Sequence, residues 1–402
     1  MNSHYFDRGA PPHITTLVLA TAVSALSMNI FLPSLPGMAV YFNADYAVVQ
    51  LAVSLYLAAT AVLQLFIGPA SDRLGRRPVM LGCFVIFLFG TIAALYAPTI
   101  EIFLACRLLQ AFSAAGMVLS RAIVRDTVGA AEAASRIGYV TMGMAIVPMI
   151  GPMIGGYLDE IFGWKAAFVL TLVFGVAAMF IVYMDLGETN QRRTTSIAGQ
   201  FRTYPELLTS RRFWGYSLTA AFTSGAFFAF LGGGPFVATA IYGLSPSAYG
   251  FYFGVLSAGY IIGNFISGRF SSRVGVNRMM LIGGVVGTLG VLGSTSTYFY
   301  APLSAAALFG PMLFVGMGNG ITLPNANAGI VSVRPHLAGT ASGLGGALQI
   351  GGGAALAALA GALLSDESGA FPLLAVMLLS CMASAFATLY VMYVARTAGA
   401  LR

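Results

Sequence analysis

Long apolar stretches separated by short polar connections run through this chain from end to end. A bilayer core takes about 20 apolar residues per helix. Twelve stretches reach that length, roughly 14–33, 47–68, 79–97, 101–121, 136–158, 164–184, 213–232, 247–268, 279–297, 303–326, 338–363 and 370–394. Most connections are short, so neighbouring helices are expected to run antiparallel. The exception is the polar segment 186–212, which carries Arg192, Arg193, Arg202, Arg211 and Arg212. The pattern predicts an all-α membrane protein of twelve transmembrane helices. They form two six-helix bundles, an N-terminal one over 1–185 and a C-terminal one over 213–402, joined by a cytoplasmic linker over 186–212.

The two bundles are expected to be pseudo-symmetric. Spans 1, 2 and 3 start near residues 14, 47 and 79, and spans 7, 8 and 9 near 213, 247 and 279, an offset of about 200. The segment Gly68-Pro69-Ala70-Ser71-Asp72-Arg73-Leu74-Gly75-Arg76-Arg77 reads as a loop between two spans. It has a worn copy in Gly268-Arg269-Phe270-Ser271-Ser272-Arg273-Val274-Gly275. Asp72 of the first copy is Ser272 in the second. Parallel repeats of this kind place a substrate site near the membrane midplane between the halves, exposed to each side in turn by rocking.

Composition narrows the class further. The chain of 402 residues is 58% hydrophobic and 8% charged, with a mean hydropathy of +0.85. A soluble domain carries roughly 25% charge, so a soluble fold is excluded. The 49 glycines suit membrane helices in close contact. The net charge of +7 comes from cations scattered singly between apolar runs, which reads as topology and not as a nucleic-acid surface. Cys83, Cys106 and Cys381 sit in apolar runs, and His4, His13 and His336 are dispersed, so neither a disulfide framework nor a metal site is expected. No nucleophile–base pair or phosphate loop is present, and the chain is not expected to be an enzyme. Residues 1–13 are short and polar. The apolar run after them is longer than the about 7–15 residues of a signal-peptide core, so it reads as a retained first span.

Counting Lys and Arg sets the orientation. With the N-terminus inside, 18 of the 20 cations fall in inside segments, Lys165 falls outside and Arg107 lies within a span. Both termini are therefore expected to be cytoplasmic.

Several positions carry candidate chemistry. Asp72 opposes the positive-inside rule of its own segment and needs a reason, such as a charge-assisted latch to a nearby arginine or a helix N-terminus. Arg107 lies six residues beyond Glu101, about 9 Å along a helix. A cation in a span costs about 2.5–3.5 kcal/mol on insertion scales, so Arg107 needs water, a partner or a role. The alternative is a snorkelling side chain tethered near the outer surface by Glu101. Gln110, one turn further in, is placed to support it by hydrogen bonding. Gly143, Gly151, Gly155 and Gly156 give span 5 a smooth face, bent by Pro148 and Pro152, to pack against span 8 at Gly254, Gly259 and Gly263. Asn319, Asn325 and Asn327 flank Pro324 in span 10 and either satisfy freed carbonyls or line the cavity. Tyr56, Phe112, Met117, Phe222, Phe227, Phe228, Tyr260 and Asn264 are further cavity candidates, with packing or lipid contact as the alternative reading of each.

These motifs resemble those of the major facilitator superfamily. Gly68 to Arg77, with Asp72, Arg73, Gly75, Arg76 and Arg77, resembles its motif A. Arg107-Leu108-Leu109-Gln110-Ala111-Phe112-Ser113-Ala114-Ala115-Gly116 resembles motif B, and the Gly143 to Gly156 pattern resembles motif C of drug antiporters. Asn29-Ile30-Phe31-Leu32-Pro33-Ser34-Leu35-Pro36 resembles the acid-and-prolines motif of twelve-helix drug:proton antiporters. The cluster Arg121, Arg125 and Asp126 is similar to that of the Bcr/CflA branch of multidrug exporters. The resemblance implies the superfamily's fold, a place in the bacterial inner membrane and proton-coupled efflux, with motif A as gate, Arg107 and Glu101 in coupling, and motif C as a seal against leakage. It also implies no cofactor besides the coupling proton, small-molecule substrates, the lipid bilayer as partner, and a monomer.

One departure matters. Related exporters usually carry an acid where this chain has Asn29, which does not titrate. None of the 13 acidic residues lies in the middle of a predicted span. A cavity without carboxylates disfavours permanent dications and favours neutral, zwitterionic or anionic substrates, of which phenicols, sulfonamides and bicyclomycin are examples. Asp72 is then the first candidate for the proton carrier, with Glu101 at the outer end. The alternatives are a transporter of a physiological metabolite, such as an amino-acid derivative or organic anion, and a transport-dead membrane sensor or scaffold, which would normally add a soluble domain or long tail.

Overall fold

The computed structural model describes residues 8–128, 140, 147, 150–190, 204–300, 304–334, 337–365 and 367–397. Among the described residues eleven helices are long and apolar enough to cross a membrane. They are α1 (Ile14–Phe42), α2 (Tyr46–Leu74), α3 (Arg76–Leu95), α4 (Ile100–Thr127), α6 (Lys165–Asp185), α7 (Arg211–Ile241), α8 (Pro246–Val274), α9 (Val276–Tyr300), α10 (Ala305–Ser332), α11 (Ala338–Leu363) and α12 (Phe371–Thr397). The fifth predicted span is described as helix over 150–162, named α5 below. Its earlier part lies outside the described residues apart from Val140 and Val147. A short helix, Tyr204–Leu208, sits in the predicted linker.

The helices run further than the apolar runs that predict them. Helix α2 has 29 residues, about 43 Å at 1.5 Å per residue, against a hydrocarbon core of about 30 Å. Main-chain hydrogen bonding needs no apolar side chains, so the helix continues past the membrane until a residue stops it. The Gly68–Arg77 segment is therefore not the expected loop. Gly68 to Leu74 is the last part of α2, Arg76 opens α3, and Gly75 alone joins them at φ 107° and ψ 151°. The second copy repeats this at Gly275, with φ 91° and ψ 146°. Only glycine adopts this region at little cost. Helix α1 also continues beyond its predicted end. It breaks at Ile30 and Phe31, passes through a 3₁₀ turn at Leu32–Ser34, and resumes to Phe42. Pro33 and Pro36 set that break and do not end the span. In α7, Pro235 is followed by a π-helical turn at Val237–Ile241.

One buried cluster joins the halves at one end of the bundle. It includes Phe31, Leu35, Val49 and Phe103 from the first half and Phe230, Tyr249, Phe253 and Phe309 from the second. At the other end, where Arg73, Arg76, Arg77, Arg121 and Arg125 lie, the cores separate. One forms around Leu17, Met80, Phe84 and Ile123, the other around Phe213, Tyr216, Met280 and Ile330. The molecule is thus closed at one end and cleft at its arginine-rich end. Helix α2 packs along α11 across the boundary between the halves. Large apolar side chains such as Phe89, Phe180, Leu289, Leu379 and Phe386 remain exposed. This suits a lipid-facing surface.

The two glycines of the α2–α3 junction make a test. An added Cβ at Gly75 falls against the Glu188 carboxylate at a positive φ, whereas Gly68 has nothing within 4 Å. Gly75→Ala is expected to lose about 1–3 kcal/mol, read as a lower melting temperature of the purified protein in detergent. Gly68→Ala is expected to match the parent.

Candidate functional site

Arg107 is the largest fully buried side chain among the described residues, with 0% exposure. Its Nε donates to the carbonyl of Ala52 at 3.0 Å, and Nη1 donates to the carbonyl of Ser27 at 3.2 Å and to Gln110 Oε1. The guanidinium carbon lies 4.4 Å from the ring centre of Phe31 and 4.4 Å from that of Tyr56. Gln110 Nε2 in turn donates to Thr91 Oγ1 at 3.1 Å. Hydrogen bonds to a charged group contribute about 1.5–3 kcal/mol each, and a desolvated cation–π contact about 2 kcal/mol. Together these outweigh the insertion cost of about 2.5–3.5 kcal/mol. Arg107 therefore needs no carboxylate, and among the described residues none touches it. Glu101 is exposed and is no tether for it, which removes the snorkelling reading. Arg107 Nη2 is buried without a partner among the described residues.

Asn29 is fully buried. Its Nδ2 donates to the carbonyl of Ala25 at 2.7 Å, and its Oδ1 has no partner among the described residues. Every described carboxylate lies at a helix end or in a connection. Tyr56 is packed beneath Arg107, with its hydroxyl 2.9 Å from Ser113 Oγ.

The motif A residues form an ionic brace around Arg76. Its guanidinium pairs with Asp72 on the preceding turn and with Asp126 Oδ2 at 2.9 Å, and Nη1 donates to Ser71 Oγ at 2.6 Å. The backbone N–H of Arg76 donates to Glu188 Oε1 at 2.9 Å. Asn190 Nδ2 donates to the carbonyl of Asp72 at 2.8 Å. The expected latch on Asp72 is thus to Arg76. Asp126 lines the same cleft as Arg121 and Arg125, but its ion pair is with Arg76 of motif A. Arg121 and Arg125 line the cleft of about 480 Å³ between the halves, facing Gly339, Thr340 and Gly343 of α11, with Asp72, Arg76 and Gln64 on the same wall. Arg77 donates to the carbonyl of Tyr183 at 3.1 Å, and Arg73 is exposed.

The opposite end is shut by backbone contact. No room exists for a Cβ at Gly155, which sits on the carbonyl of Ile30 at the α1 break, or at Gly156, which sits on Pro246 of α8. Gly250 of α8 reciprocates against Pro152, and Gly254 faces Met153 Sδ at 3.5 Å from its would-be Cβ. Gly151 lies against Asn29 and Ile30. The motif C face is therefore shared between α1 and α8. Gly259 and Gly263 do not take part: they meet the carbonyls of Leu313 and Met317 and pack α8 on α10. Gly143 and Pro148 lie outside the described residues. Gln50 Nε2 donates across the halves to the carbonyl of Ala357 at 2.9 Å, Tyr46 donates to that of Gly232 at 2.7 Å, and Glu160 accepts from the N–H of Ser247 at 3.0 Å.

The remaining candidates divide by their partners. Asn325 donates to Ser267 Oγ at 2.8 Å and to the carbonyl of Ile321 at 2.8 Å, so it ties α10 to α8. Asn319 donates to the carbonyl of Val315 at 3.2 Å and leaves Oδ1 unpaired among the described residues. Asn264 donates to the carbonyl of Tyr260 on its own helix. Tyr260 is half-buried and within electrostatic reach of Arg121. Phe227 meets Phe228 and Phe253 edge to face. Phe112 packs against the first-half core, and Met117 and Phe222 are half-buried. Sequence reasoning missed Glu188, Asn190, Gln50 and Gly250. Glu188 was accessible by the criterion that picks out Asp72, an acid in a segment rich in arginines.

A family model of the Major Facilitator Superfamily matches residues 17–358. The chain is 33% identical to an uncharacterized MFS-type transporter, YdgK, of Bacillus subtilis, over 83% of this chain and 84% of that one. It is 28% identical to a bicyclomycin resistance protein homolog of Haemophilus influenzae, covering 86% and 88%. It is also 28% identical to a chloramphenicol resistance protein of Pseudomonas aeruginosa, covering 81% and 79%. A bacterial homolog of the human lysosomal transporter Spinster, solved in an inward-facing, occupied conformation, shares the fold with a TM-score of 0.74 at 16% identity, covering 96% of each chain.

The seal generates a test. Gly156→Leu and Gly250→Leu each drive a side chain into facing backbone, so each is expected to raise passive leak of solute in proteoliposomes at least several-fold. Gly259→Leu, which disturbs only α8 against α10, is expected to lower the melting temperature without that leak. Equal leak from all three would sink the assignment of the seal.

Proposed function

We propose that this chain, which belongs to the Major Facilitator Superfamily, is a proton-coupled exporter of small amphipathic drugs of phenicol, sulfonamide or bicyclomycin type. It is a multi-pass membrane transporter and not an enzyme. The inner membrane is its proposed site, with the arginine-rich end facing the cytoplasm, as the positive-inside count requires. The drug-resistance relatives support export of such compounds.

The observation that carries the substrate class is Arg107, buried between Phe31 and Tyr56 with Nη2 unpaired among the described residues and no carboxylate in reach. It leaves one unpaired hydrogen-bond donor and a positive field within an apolar surround. It suits a neutral or anionic aromatic compound bearing an acceptor, and repels a dication. The same field supports the second reading, a transporter of an organic anion or amino-acid derivative.

Transport follows from the two ends. Substrate enters the cleft from the arginine-rich side while Gly155, Gly156 and Gly250 hold the other end shut. Export needs the reverse, with α11 closing onto the Asp72 wall. Asp72 is the proposed proton carrier: its side chain is 23% exposed to the cleft and paired with Arg76. Protonation removes one arm of the brace and loosens the wall. One charge moved through 100 mV supplies about 2.3 kcal/mol, or roughly a 50-fold gradient of a neutral substrate.

A susceptibility panel in a pump-deficient host tests the reading. Expression is expected to raise resistance to phenicols, sulfonamides or bicyclomycin and not to permanent dications. Arg107→Lys, which keeps the charge but loses the planar face, is expected to lose at least 10-fold of that resistance at equal protein level. No shift for any compound would favour the metabolite transporter. In liposomes Asp72→Asn is expected to abolish pH-driven counterflow while leaving substrate exchange; full retention would exclude Asp72 as the carrier.

A further inference from the structure

The four helix ends at the arginine-rich end of the first half are bound together by carboxylates. Asp126 ends α4 and Glu188 follows α6, and both hold Arg76 at the start of α3. Asp185, the last residue of α6, is fully buried and accepts from the N–H of His13 at 2.8 Å and from Thr16 Oγ1 at 2.6 Å at the start of α1. The corresponding corner of the second half is built from the starts of α7 and α9 and the ends of α10 and α12. It borders an open cavity of about 680 Å³ lined by Arg212, Arg278 and Arg396, with Asn277, Tyr216 and Ser332. None of the lining residues is acidic. Among the described residues, no ion pair involves any of the three arginines, and Arg212 Nε is buried without a partner. Tyr216 donates to Asn277 Oδ1 at 2.9 Å, so that amide's nitrogen is left to serve as a donor.

Three arginines line this one cavity without a carboxylate among its lining residues, Arg212 half-buried and Arg278 and Arg396 exposed. The first half places its own acids around Arg76, and no acid stands in this cavity. The volume lies in the about 300–1,000 Å³ range of small-molecule sites, and Arg forks match phosphate oxygens in geometry. We propose that this corner of the C-terminal half is a binding site for a phosphate-bearing anion. The anion bridges the ends of α7, α9 and α12 as Asp126, Asp185 and Glu188 bridge their counterparts. A phospholipid headgroup and a soluble phosphate present the same chemistry, and the position at a helix-bundle end admits either. The site is separate from the cleft between the halves and independent of what is transported.

Binding to the purified full-length protein in detergent, followed by native mass spectrometry and thermal shift, tests this. Phosphatidylglycerol, phosphatidylcholine and inorganic phosphate are the probes. Saturable binding and a raised melting temperature with phosphatidylglycerol, but not with phosphatidylcholine, identify a headgroup site. The same with inorganic phosphate identifies a soluble ligand. In either case the double variant Arg212→Gln/Arg396→Gln is expected to weaken binding at least 10-fold, and the control Arg211→Gln/Arg269→Gln, two arginines that do not line the cavity, to leave it within twofold. Ser332→Glu keeps every arginine and places a carboxylate in the cavity, so it is expected to abolish binding and to raise the melting temperature of the ligand-free protein. Absence of saturable binding by both anions, or equal loss in the control, overturns the proposal.

Discussion

Backbone contact at residues without side chains is the constraint on which this structure rests. Between helices in lipid there is no hydrophobic driving force, and association depends on close packing and hydrogen bonding. The chain meets this by setting glycine against carbonyl: Gly116 on Ala20 joins α4 to α1, Gly316 on Leu256 joins α10 to α8, and Gly155 on Ile30 joins α5 to α1. The same device forms the seal at Gly156 and Gly250. A contact made of backbone has no side-chain rotamers to order on closing. That suits a surface made and broken in each transport cycle.

Charge is distributed unequally over this frame. In the first half Arg76 is satisfied by Asp72, Asp126 and Glu188, which fixes the α2–α3 junction while leaving Asp72 open to the cleft. In the second half Ser272 replaces the acid. The positive φ of Gly275 preserves the backbone of the junction without its ions. The duplicated backbone is thus kept by glycine, whereas the ionic function belongs to one copy. Arg107 shows a different solution. Deep in the bundle, carbonyls and two aromatic faces replace the counter-ion.

Much of the fold was legible in the sequence because a bilayer permits few solutions. Apolar runs of sufficient length must be helices, and the offset between the copies exposed the duplication. Element ends were less legible. Gly68 to Leu74 looks like a loop by polarity but hydrogen-bonds as helix, and α1 passes its prolines to reach Phe42. The site was legible in part. Arg107 announced itself as a cation in a span, and Gln110 as its neighbour one turn on. Glu101 was close to Arg107 in sequence yet exposed in the fold. Asp126 was grouped with Arg121 and Arg125 by adjacency but bonds to Arg76, 50 residues away.

The sequence alone determined the membrane class, the two-part duplication, the motifs and the absence of an acid at position 29, since each depends only on residue type and spacing. The tertiary structure decided which charges meet. It closed the Arg76 guanidinium with Asp126 across the first half and shared the motif C glycines between α1 and α8. It assigned Gly259 and Gly263 to α10, and gathered Arg212, Arg278 and Arg396 in one cavity. Partners in these contacts lie far apart along the chain, and only the packing angle of the helices brings them together.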